Sequence, residues 1–527
     1  MVSAVLTLVV VLLGVIILRF TRFLSSGRKR SHPLPPGPKP WPVVGNISDM
    51  PRPGFPEWEH WLKHNDLYGP ISSVTVMGTN MVLLHSARLA LELLEKRSAI
   101  YSSRPRMVFG GEMCGWENMT AIIPYGNHLR AHRKCMFAVL GTKSAVARFC
   151  PLQNAEVKRF LLRILGNPQD IDKHALSLSG AIILKLTYGY TIELHTFDPL
   201  VDLADRLNEQ FAAATVPGAW LVDVIPALRY LPNWMPGAGF KKTAKIWKAT
   251  LLEFVDKPNK FVHKRMAQGD HKPSFVSSLY EQAGDLATSD EEDLIKWSAV
   301  SLYAAGADTS GTTVTNFFLA MLLYPEVQVK AREEIDRVIG THRLPTFDDR
   351  QNLPYIETVV TEAFRWHPVG PLGVPRVATE DDICDGYFIP KGALVIANIW
   401  WFTHDPESYP NPESFNPSCY VGPDPCPDPR DFVFGFGRRT CPAMLLGESS
   451  VWLAIACTLA VFDIAKPVVA ETGEVIEPEA RFTAGTVSQP FPFQASIKPR
   501  SAGHEALIRQ ADALKAGTRS DSEDLPC

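Results

Sequence analysis

Residues 434–443 read Phe-Gly-Phe-Gly-Arg-Arg-Thr-Cys-Pro-Ala. The two glycines permit a tight loop with unusual backbone angles and let the backbone approach a flat ligand closely. Pro442 suits the first turn of a helix that we expect to run through Met444 to Leu459. Cys441 would then lie at a helix N-terminus, where the helix dipole and N–H groups stabilise a thiolate. The loop therefore predicts either a thiolate ligand or, as for most buried cysteines, a core side chain before a helix.

This run resembles the haem-ligand loop of the cytochrome P450 family, Phe-x-x-Gly-x-Arg-x-Cys-x-Gly. Phe434, Gly437, Arg439 and Cys441 match the pattern, and Ala443 replaces its last glycine. The resemblance implies that Cys441 is the axial thiolate ligand of haem b iron and that the other three matching residues contact the cofactor. A thiolate ligand donates electron density that favours O–O cleavage.

A second motif lies inside a long apolar stretch that we predict to be a helix. Residues 305–310 read Ala-Gly-Ala-Asp-Thr-Ser, which is unfavourable for helix propensity alone. The Thr309 hydroxyl can bond the preceding turn, and Asp308 can carry protons, although a kinked core helix also fits. The motif resembles the family's oxygen-activation motif at every position. By resemblance, Gly306 makes room for the cofactor, while Asp308 and Thr309 guide protons during dioxygen activation.

The third motif is Glu362-Ala363-Phe364-Arg365, whose two charged residues share a helix face. It is similar to the family's Glu-x-x-Arg helix, which implies a buried pair in the haem-side core. Residues 415–420 align with the family's Phe-x-Pro-Glu-Arg-Phe segment, but Cys419 stands where an arginine usually joins the pair. Either a nearby cation substitutes for that arginine or the pair is held less tightly.

The haem propionates require cationic donors when they are buried. By resemblance, these donors are Arg439 in the cysteine loop, Arg376 after a Val-Pro pair, and Arg133. The helix at 125–134 that contains Arg133 is similar to the family's Trp-Arg-x-x-Arg helix.

That helix departs from the family pattern at one position. Leu129 stands where the family has a tryptophan, so one propionate hydrogen bond has no counterpart. His128 and Arg130 are the candidates to replace it.

The N-terminus has the pattern of a membrane anchor. Residues 2–18 carry no charge, and the segment to Leu24 is long enough to span a bilayer. The basic residues 28–30 follow it, which predicts a cytosolic C-terminal side. A cleaved signal peptide is the alternative, but such peptides usually begin with a basic region. Together with the resemblance, this predicts a single-pass endoplasmic reticulum protein with a cytosolic catalytic domain.

The rest of the chain predicts one large, predominantly α domain with a minor β region, the cytochrome P450 fold. Apolar spacing predicts helices at 155–165, 291–323, 327–339 and 355–366, and strands at 71–76, 81–84 and 394–397. The prolines within 33–42 predict a stiff spacer or an irregular loop. We therefore expect an anchor at 1–24, a basic and proline-rich linker at 25–46, a catalytic domain at 47–500 and a polar, partly disordered tail at 501–527.

The composition is that of a globular protein in a reducing compartment. Of 527 residues, 46% are hydrophobic and 21% charged, which argues against global disorder. The net charge of -3 gives no indication of nucleic-acid binding. The nine cysteines are scattered and include no Cys-x-x-Cys pair, which fits neither a disulfide framework nor a structural zinc site.

The resemblance implies a monooxygenase that takes electrons from NADPH through NADPH-cytochrome P450 reductase, with cytochrome b5 as a further candidate partner. Its expected substrate is a lipophilic small molecule, such as a terpenoid or polyketide of fungal secondary metabolism. Two alternatives remain open from the sequence. One is a haem-thiolate isomerase or dehydratase that does not use dioxygen, and the other is a non-catalytic haem-binding or sensor protein.

Overall fold

The structure is a computed structural model. It describes Gly14 and residues 32–52, 54–193, 198–216, 219–284, 288–469, 472–510 and 520–526. The predicted membrane anchor at 1–24, apart from Gly14, lies outside the described residues, as do residues 25–31 of the predicted linker.

Helices dominate the described chain, as the sequence predicts. They are α1 (Glu57–Tyr68), α2 (Ala87–Ala90), α3 (Asn127–Leu140), α4 (Lys143–Ala147), α5 (Cys150–Gly166), α6 (Ile171–Tyr188), α7 (Pro199–Thr215), α8 (Leu221–Val224), α9 (Gly239–Ala267), α10 (Phe275–Ala283), α11 (Ser289–Leu323), α12 (Pro325–Val338), α13 (Pro354–Trp366), α14 (Ile399–His404), α15 (Arg430–Val433), α16 (Met444–Val461) and α17 (Ala502–Gln510). The four helices predicted from apolar spacing are confirmed as α5, α11, α12 and α13.

The β content is small. The strands are β1 (Ile71–Val76), β2 (Thr79–Leu84), β3 (Arg376–Val377), β4 (Asp382–Cys384), β5 (Tyr387–Ile389), β6 (Leu394–Ala397), β7 (Phe462–Ala465) and β8 (Ser496–Pro499). A four-stranded sheet has the order β1-β2-β6-β3, and two two-stranded antiparallel sheets pair β4 with β5 and β7 with β8. The three predicted strands are confirmed as β1, β2 and β6.

The described residues group into two compact units. The first is drawn from Met1–Pro105, Leu372–Phe402 and Gly435–Arg439 and contains the four-stranded sheet. The proline-rich stretch lies alongside β1. The backbone N–H of Ser73 donates to the carbonyl of Pro36 (2.8 Å), and its hydroxyl donates to the carbonyl of Pro35 (2.6 Å). The prolines therefore lie extended along a strand within this unit.

The second unit is drawn from Arg106–Pro371, Thr403–Phe434 and Thr440–Cys527 and is mainly helical. Its core includes α6, α11 and α16, whose side chains are buried on nearly all sides. Helices that are apolar all round are typical of the centre of a large domain. Within the described residues, α16 alone is long and apolar enough to cross a membrane, but 72% of it is buried inside the protein.

The end of the polar C-terminal tail docks onto the second unit. Asp521 is only 4% exposed. Its carboxylate accepts hydrogen bonds from Arg265 (3.1 Å), Lys272 (2.8 Å) and the backbone N–H of Thr191 (2.8 Å). Composition predicted a partly disordered end here, and the structure differs because these cations and a backbone donor compensate for the buried acidic side chain.

Candidate active site

Cys441 lies in a short turn before α16, which begins at Met444. The Cys441 N–H donates to the Phe434 carbonyl at 2.8 Å and closes the loop between the two residues. On the preceding residue, the carbonyl of Thr440 accepts a hydrogen bond from Nη1 of Arg133 at 2.9 Å. The predicted partners Cys441, Phe434 and Arg133 therefore lie close together within the second unit.

Two groups oppose the effect of burial on the pKa of the Cys441 thiol, and a lysine charge does so at Cys457 and at Cys114. Burial raises the pKa of the Cys441 thiol, while the Ala443 backbone N–H and the positive charge of Arg133 act in the opposite direction. Burial raises the pKa of Cys457 and of Cys114 to about 12. The donor N–H and the nearby cation are the features that a thiolate ligand requires.

Three arginines cluster in the first unit. Arg376 is 4% exposed and donates from Nη2 to the Phe436 carbonyl at 2.8 Å. Nε of Arg439 donates to the Ser102 carbonyl at 2.8 Å. The third member, Arg104, donates to backbone carbonyls at Val374 (2.5 Å) and Pro375 (2.9 Å). The structure therefore brings the predicted donors Arg376 and Arg439 together.

Like charges in this cluster repel one another. Burial lowers the pKa of Arg104 well below its usual value, and the charges of Arg439 and Arg376 lower it further. An anion bound to such a cluster would relieve the repulsion, so these donors fit the propionates of haem. Sequence reasoning missed Arg104, because a Ser-Arg-Pro-Arg stretch is equally typical of an exposed loop.

Gly437 confirms the tight backbone expected of the cysteine loop. Its φ of +51° and the φ of +77° at Gly435 belong to the left-handed region that favours glycine. A Cβ at Gly437 would lie 2.7 Å from the carbonyl oxygen of Leu94 in the same unit. The close approach that this glycine permits in the structure is therefore to a neighbouring backbone.

The middle of α11 has one exposed stripe in an otherwise buried helix. Ala305 and Thr309 are exposed, whereas residues 298–304 and 311–322 are buried. The two residues share a face because they are four apart. The Thr309 hydroxyl donates to the Ala305 carbonyl at 3.0 Å, the bond to the preceding turn that the motif predicts. Ala305 and Thr309 therefore form an accessible stripe on an otherwise buried part of the helix.

Gly306 lies against a neighbouring helix. A Cβ at this position would lie 2.7 Å from Cγ1 of Ile183 in α6. The absence of a side chain therefore lets α11 pack closely against α6, and the small residue on the exposed stripe is Ala305.

Asp308 is a carboxyl group that can gain and lose a proton near neutral pH. Burial raises its pKa to about 6. The Thr312 hydroxyl, which donates to Oδ1 at 3.2 Å, lowers the pKa, and the charge of Asp205 in α7 raises it. Asp308 therefore meets the main requirement for a proton carrier next to Thr309.

Helix α16 crosses α11 immediately after Thr309. A Cβ on Gly447 of α16 would lie 3.4 Å from Oγ of Ser310. The helix that follows Cys441 and the stripe at Ala305 and Thr309 are thus neighbouring parts of the second unit.

The Glu362–Arg365 pair is buried as predicted, with each residue 1% exposed. Nε and Nη2 of Arg365 donate to the two carboxylate oxygens at 2.8 Å each. The Tyr420 hydroxyl donates to Oε2 of Glu362 at 2.9 Å, and the Asn416 N–H donates to Oε1 at 2.6 Å. A neutral phenol next to Cys419, rather than a cation, therefore makes the third side-chain contact.

Both residues that are candidates to replace the missing tryptophan already hydrogen-bond to neighbouring side chains. Leu129 is 1% exposed and packs into the core. His128 hydrogen-bonds through Nε2 to Nε2 of His132 at 3.1 Å. Arg130 is exposed and bonds to Asn127. Both candidate side chains are thus engaged within or beside α3.

A sequence model of the cytochrome P450 family matches residues 35–489. The chain belongs to the cytochrome P450 family. The cytochrome P450 monooxygenase claR of Ampulloclitocybe clavipes is 46% identical over 99% of this chain and 96% of its own length. The multifunctional monooxygenase af510 of Aspergillus fumigatus is 41% identical over 96% of this chain and 93% of its own. An O-methylsterigmatocystin oxidoreductase of Aspergillus flavus is 39% identical over 94% and 93%, respectively. The P450 described here is accordingly a monooxygenase.

Proposed function

We propose that this P450 binds haem b through the thiolate of Cys441 and oxidises a lipophilic small molecule with electrons from NADPH. The observation that carries the proposal is the arrangement in the second unit. A cysteine with an N–H donor and a cation precedes α16, and α16 crosses α11 next to a hydroxyl and a carboxyl group that titrates near neutral pH. Thiolate ligation and controlled proton delivery are both required for dioxygen activation.

The protein's own groups divide the work between binding and proton transfer. Haem, when bound, supplies the one-electron and dioxygen chemistry. Arg133, Arg376 and Arg439 would donate to the propionates, with Arg104 as a further candidate donor. Phe434 and Gly437 belong to the loop that receives the cofactor. This set combines a soft sulfur ligand with guanidinium donors for carboxylates, which is the chemistry that haem b requires.

Proton delivery is the task of two neighbouring side chains on α11. Asp308 exchanges a proton with its surroundings, and its pKa of about 6 keeps both protonation states accessible. The Thr309 hydroxyl, already oriented by its bond to the Ala305 carbonyl, would pass its proton to an oxygen atom of a reactant bound beside Ala305 and take up a replacement proton from Asp308 through water.

The substrate that we propose is a lipophilic secondary metabolite, such as a terpenoid or polyketide. The support is the similarity to several fungal monooxygenases, one of which is named for its action on O-methylsterigmatocystin. NADPH-cytochrome P450 reductase is the proposed electron donor, with cytochrome b5 as a second candidate. We also propose that residues 1–24 anchor the protein in the endoplasmic reticulum membrane, with residues 47–500 as a cytosolic catalytic domain.

The proposal is tested by reconstituting the enzyme with reductase and NADPH and adding a metabolite extract from the source organism. We expect one compound to gain an oxygen atom in a reaction that consumes NADPH and dioxygen. A product that forms without NADPH would instead indicate an isomerase or dehydratase. Haem binding with neither product nor NADPH consumption would indicate a sensor. For the anchor, deletion of residues 1–24 should release much of the protein from carbonate-washed membranes.

A further inference from the structure

Four charged side chains join the segments that come before and after Cys441. Arg430 lies in α15, and Glu448 lies in the first turns of α16. Nη1 of Arg430 donates to Oε1 of Glu448 at 2.5 Å and to Oε1 of Glu357 in α13 at 2.9 Å. The segments on both sides of Cys441 are thus tied to each other and to a third helix.

Arg350 completes this cluster from a separate 3₁₀ segment, Phe347–Asn352. Its Nε and Nη2 donate to the two oxygens of Glu357 at 2.9 and 3.0 Å. Nη2 also donates to Oε1 of Glu448 at 2.9 Å. Each carboxylate therefore accepts hydrogen bonds from both arginines. We call these four residues the loop clamp: Arg350, Glu357, Arg430 and Glu448.

The loop clamp is sheltered enough to be stronger than ordinary surface ion pairs. The exposed fraction of its side chains runs from 17% for Glu448 to 30% for Glu357. Burial would raise the pKa of Glu357, but hydrogen bonds and charge from Arg350 and Arg430 outweigh it and lower the pKa. The carboxylate therefore stays charged at neutral pH. Bidentate guanidinium–carboxylate contacts also fix geometry, which single exposed pairs do not.

The geometry of the cysteine depends on the segments that the clamp holds. The Ala443 N–H, which acts on the Cys441 thiol, belongs to the residue just before α16. The Ala443 carbonyl accepts from the Gly447 N–H at 2.9 Å, next to Glu448. A displacement of Glu448 would therefore move Ala443 through one rigid helical turn. On the other side, Phe434, whose carbonyl accepts from Cys441, follows α15 directly.

We propose that Arg430 and Glu448 are positioning residues that hold the Cys441 loop in the conformation required for thiolate ligation. This inference rests on the assignment of Cys441 as the ligand under the proposed function. The two residues act through the backbone of Phe434 and Ala443 and do not themselves touch the reacting atoms.

The test follows the red-shifted Soret band of the ferrous carbon monoxide complex, which reports thiolate ligation, in the purified holoprotein over time. The variants are Arg430→Gln, Glu448→Gln and the conservative Arg430→Lys. Arg500→Gln is the matched control, because Arg500 makes a bidentate, half-buried ion pair with Asp336 that joins α12 to the chain after β8. The unfolding midpoint of every variant is measured in parallel.

We expect the thiolate band of Arg430→Gln and Glu448→Gln to decay at least about tenfold faster than in the native protein, because each change removes or weakens more than one charge-assisted hydrogen bond. Arg430→Lys should decay at an intermediate rate. Arg500→Gln should lower the unfolding midpoint comparably and leave the decay rate unchanged. If Arg430→Gln yields no haem protein, Glu448→Gln provides the same comparison.

Two results would overturn the proposed role of the loop clamp. The first is a thiolate band that decays at the native rate in the clamp variants. The second is a decay rate that depends on the unfolding midpoint in the same way in the clamp and control variants. Neither result affects the proposed function, whose ligand assignment fails if Cys441→Ser retains the thiolate band.

Discussion

Two segments of the second unit contribute polar groups to the candidate active site: the stretch around Cys441 and the middle of α11. Around Cys441, Arg133 is hydrogen-bonded to the Thr440 carbonyl, and the charged residues of the loop clamp have at least two partners each. In α11, Asp308 has one hydroxyl donor and a pKa of about 6, and the Thr309 hydroxyl bonds only within its own helix turn among the contacts described above.

The comparison separates two physical requirements of one reaction. A metal ligand must keep a single position and charge, so that region is built from ion pairs and backbone hydrogen bonds. A proton carrier must change its charge during turnover, so a weakly compensated, buried carboxyl group suits it. Substitutions near Cys441 should therefore change cofactor ligation, whereas substitutions in α11 should change proton delivery and leave ligation intact.

The largest expected effect is at Cys441. Cys441→Ser should abolish the red-shifted Soret band of the reduced carbon monoxide complex, because serine supplies no thiolate. Cys114→Ser is the control, since Cys114 is fully buried in the core but lies outside the loop. Difference spectra of both purified variants decide the outcome. A thiolate band in Cys441→Ser would contradict the assignment of Cys441 as the ligand. The stretch around Cys441 could then not be contrasted with α11 as the ligand-holding segment.

Asp308→Asn should slow turnover by about 100-fold, the lower end of the contribution that a positioned proton carrier makes. Because the pKa of Asp308 is about 6, native turnover should change with pH around that value, and the variant should lose this dependence. The carbon monoxide spectrum should stay native. Asp205→Asn is an informative companion, since loss of that negative charge should lower the pKa of Asp308 and shift the pH profile towards acid. A native pH dependence of turnover in Asp308→Asn would contradict the assignment of Asp308 as the proton carrier.

The same carboxyl group should also affect stability. Its pKa is raised in the folded protein from 3.8 to about 6, so the unfolded chain binds fewer protons between these values. Stability should therefore fall as pH rises from about 4 to about 6 and remain lower above that range. At pH 7, Asp308→Asn should be more stable than the native protein by about 3 kcal/mol. Thermal unfolding at several pH values measures this, and a variant that is less stable at pH 7 would count against a buried carboxylate.

Thr309→Ala should have a smaller effect on rate and a distinct effect on coupling. The change removes a hydroxyl and little volume, so folding and haem uptake should survive. NADPH consumption should fall modestly, while product formed per NADPH drops severalfold and hydrogen peroxide rises, because protons are delivered less selectively. The ratio of product to NADPH is the measurement. An unchanged ratio would mean that the threonine serves packing in α11 and not proton transfer.

The sequence could predict the two segments but not all of their partners. Local patterns located Cys441, Asp308, Thr309 and the Glu362–Arg365 pair, because each depends on neighbours within one turn or loop. Arg104 and Tyr420 escaped prediction because their contacts join residues far apart in the chain.

Gly306 also shows that the sequence does not identify contacts between distant residues. Its presence in a helix predicted close approach, but only the structure identifies Ile183 of α6 as the group approached. The tail was misjudged for a related reason. A charged composition predicts a disordered end, unless distant residues supply compensating charges, as Arg265 and Lys272 do for Asp521.

The smallest expected effect concerns Tyr420, which stands next to the cysteine that replaces the family's arginine. Tyr420→Phe removes a hydrogen bond to the buried carboxylate of Glu362 and should destabilise the fold by about 2 kcal/mol. Tyr409→Phe is the control, because the Tyr409 hydroxyl donates at 3.0 Å to the neutral carbonyl of Pro427 and its loss should cost only about 1 kcal/mol. Unfolding midpoints in denaturant compare the two.

Placing the family's arginine at position 419 tests whether Tyr420 replaces it. Cys419→Arg in the Tyr420→Phe background should recover part of the lost stability, since a guanidinium can donate to Glu362 in place of the phenol. The ratio of product to NADPH should stay native in Tyr420→Phe, in Tyr409→Phe and in the double variant. None of these changes lies in α11, where proton delivery is proposed to occur. Equal destabilisation by Tyr420→Phe and Tyr409→Phe, without recovery by Cys419→Arg, would show that Glu362 and Arg365 hold each other without a third side chain. The missing arginine would then have been lost from this P450 without replacement.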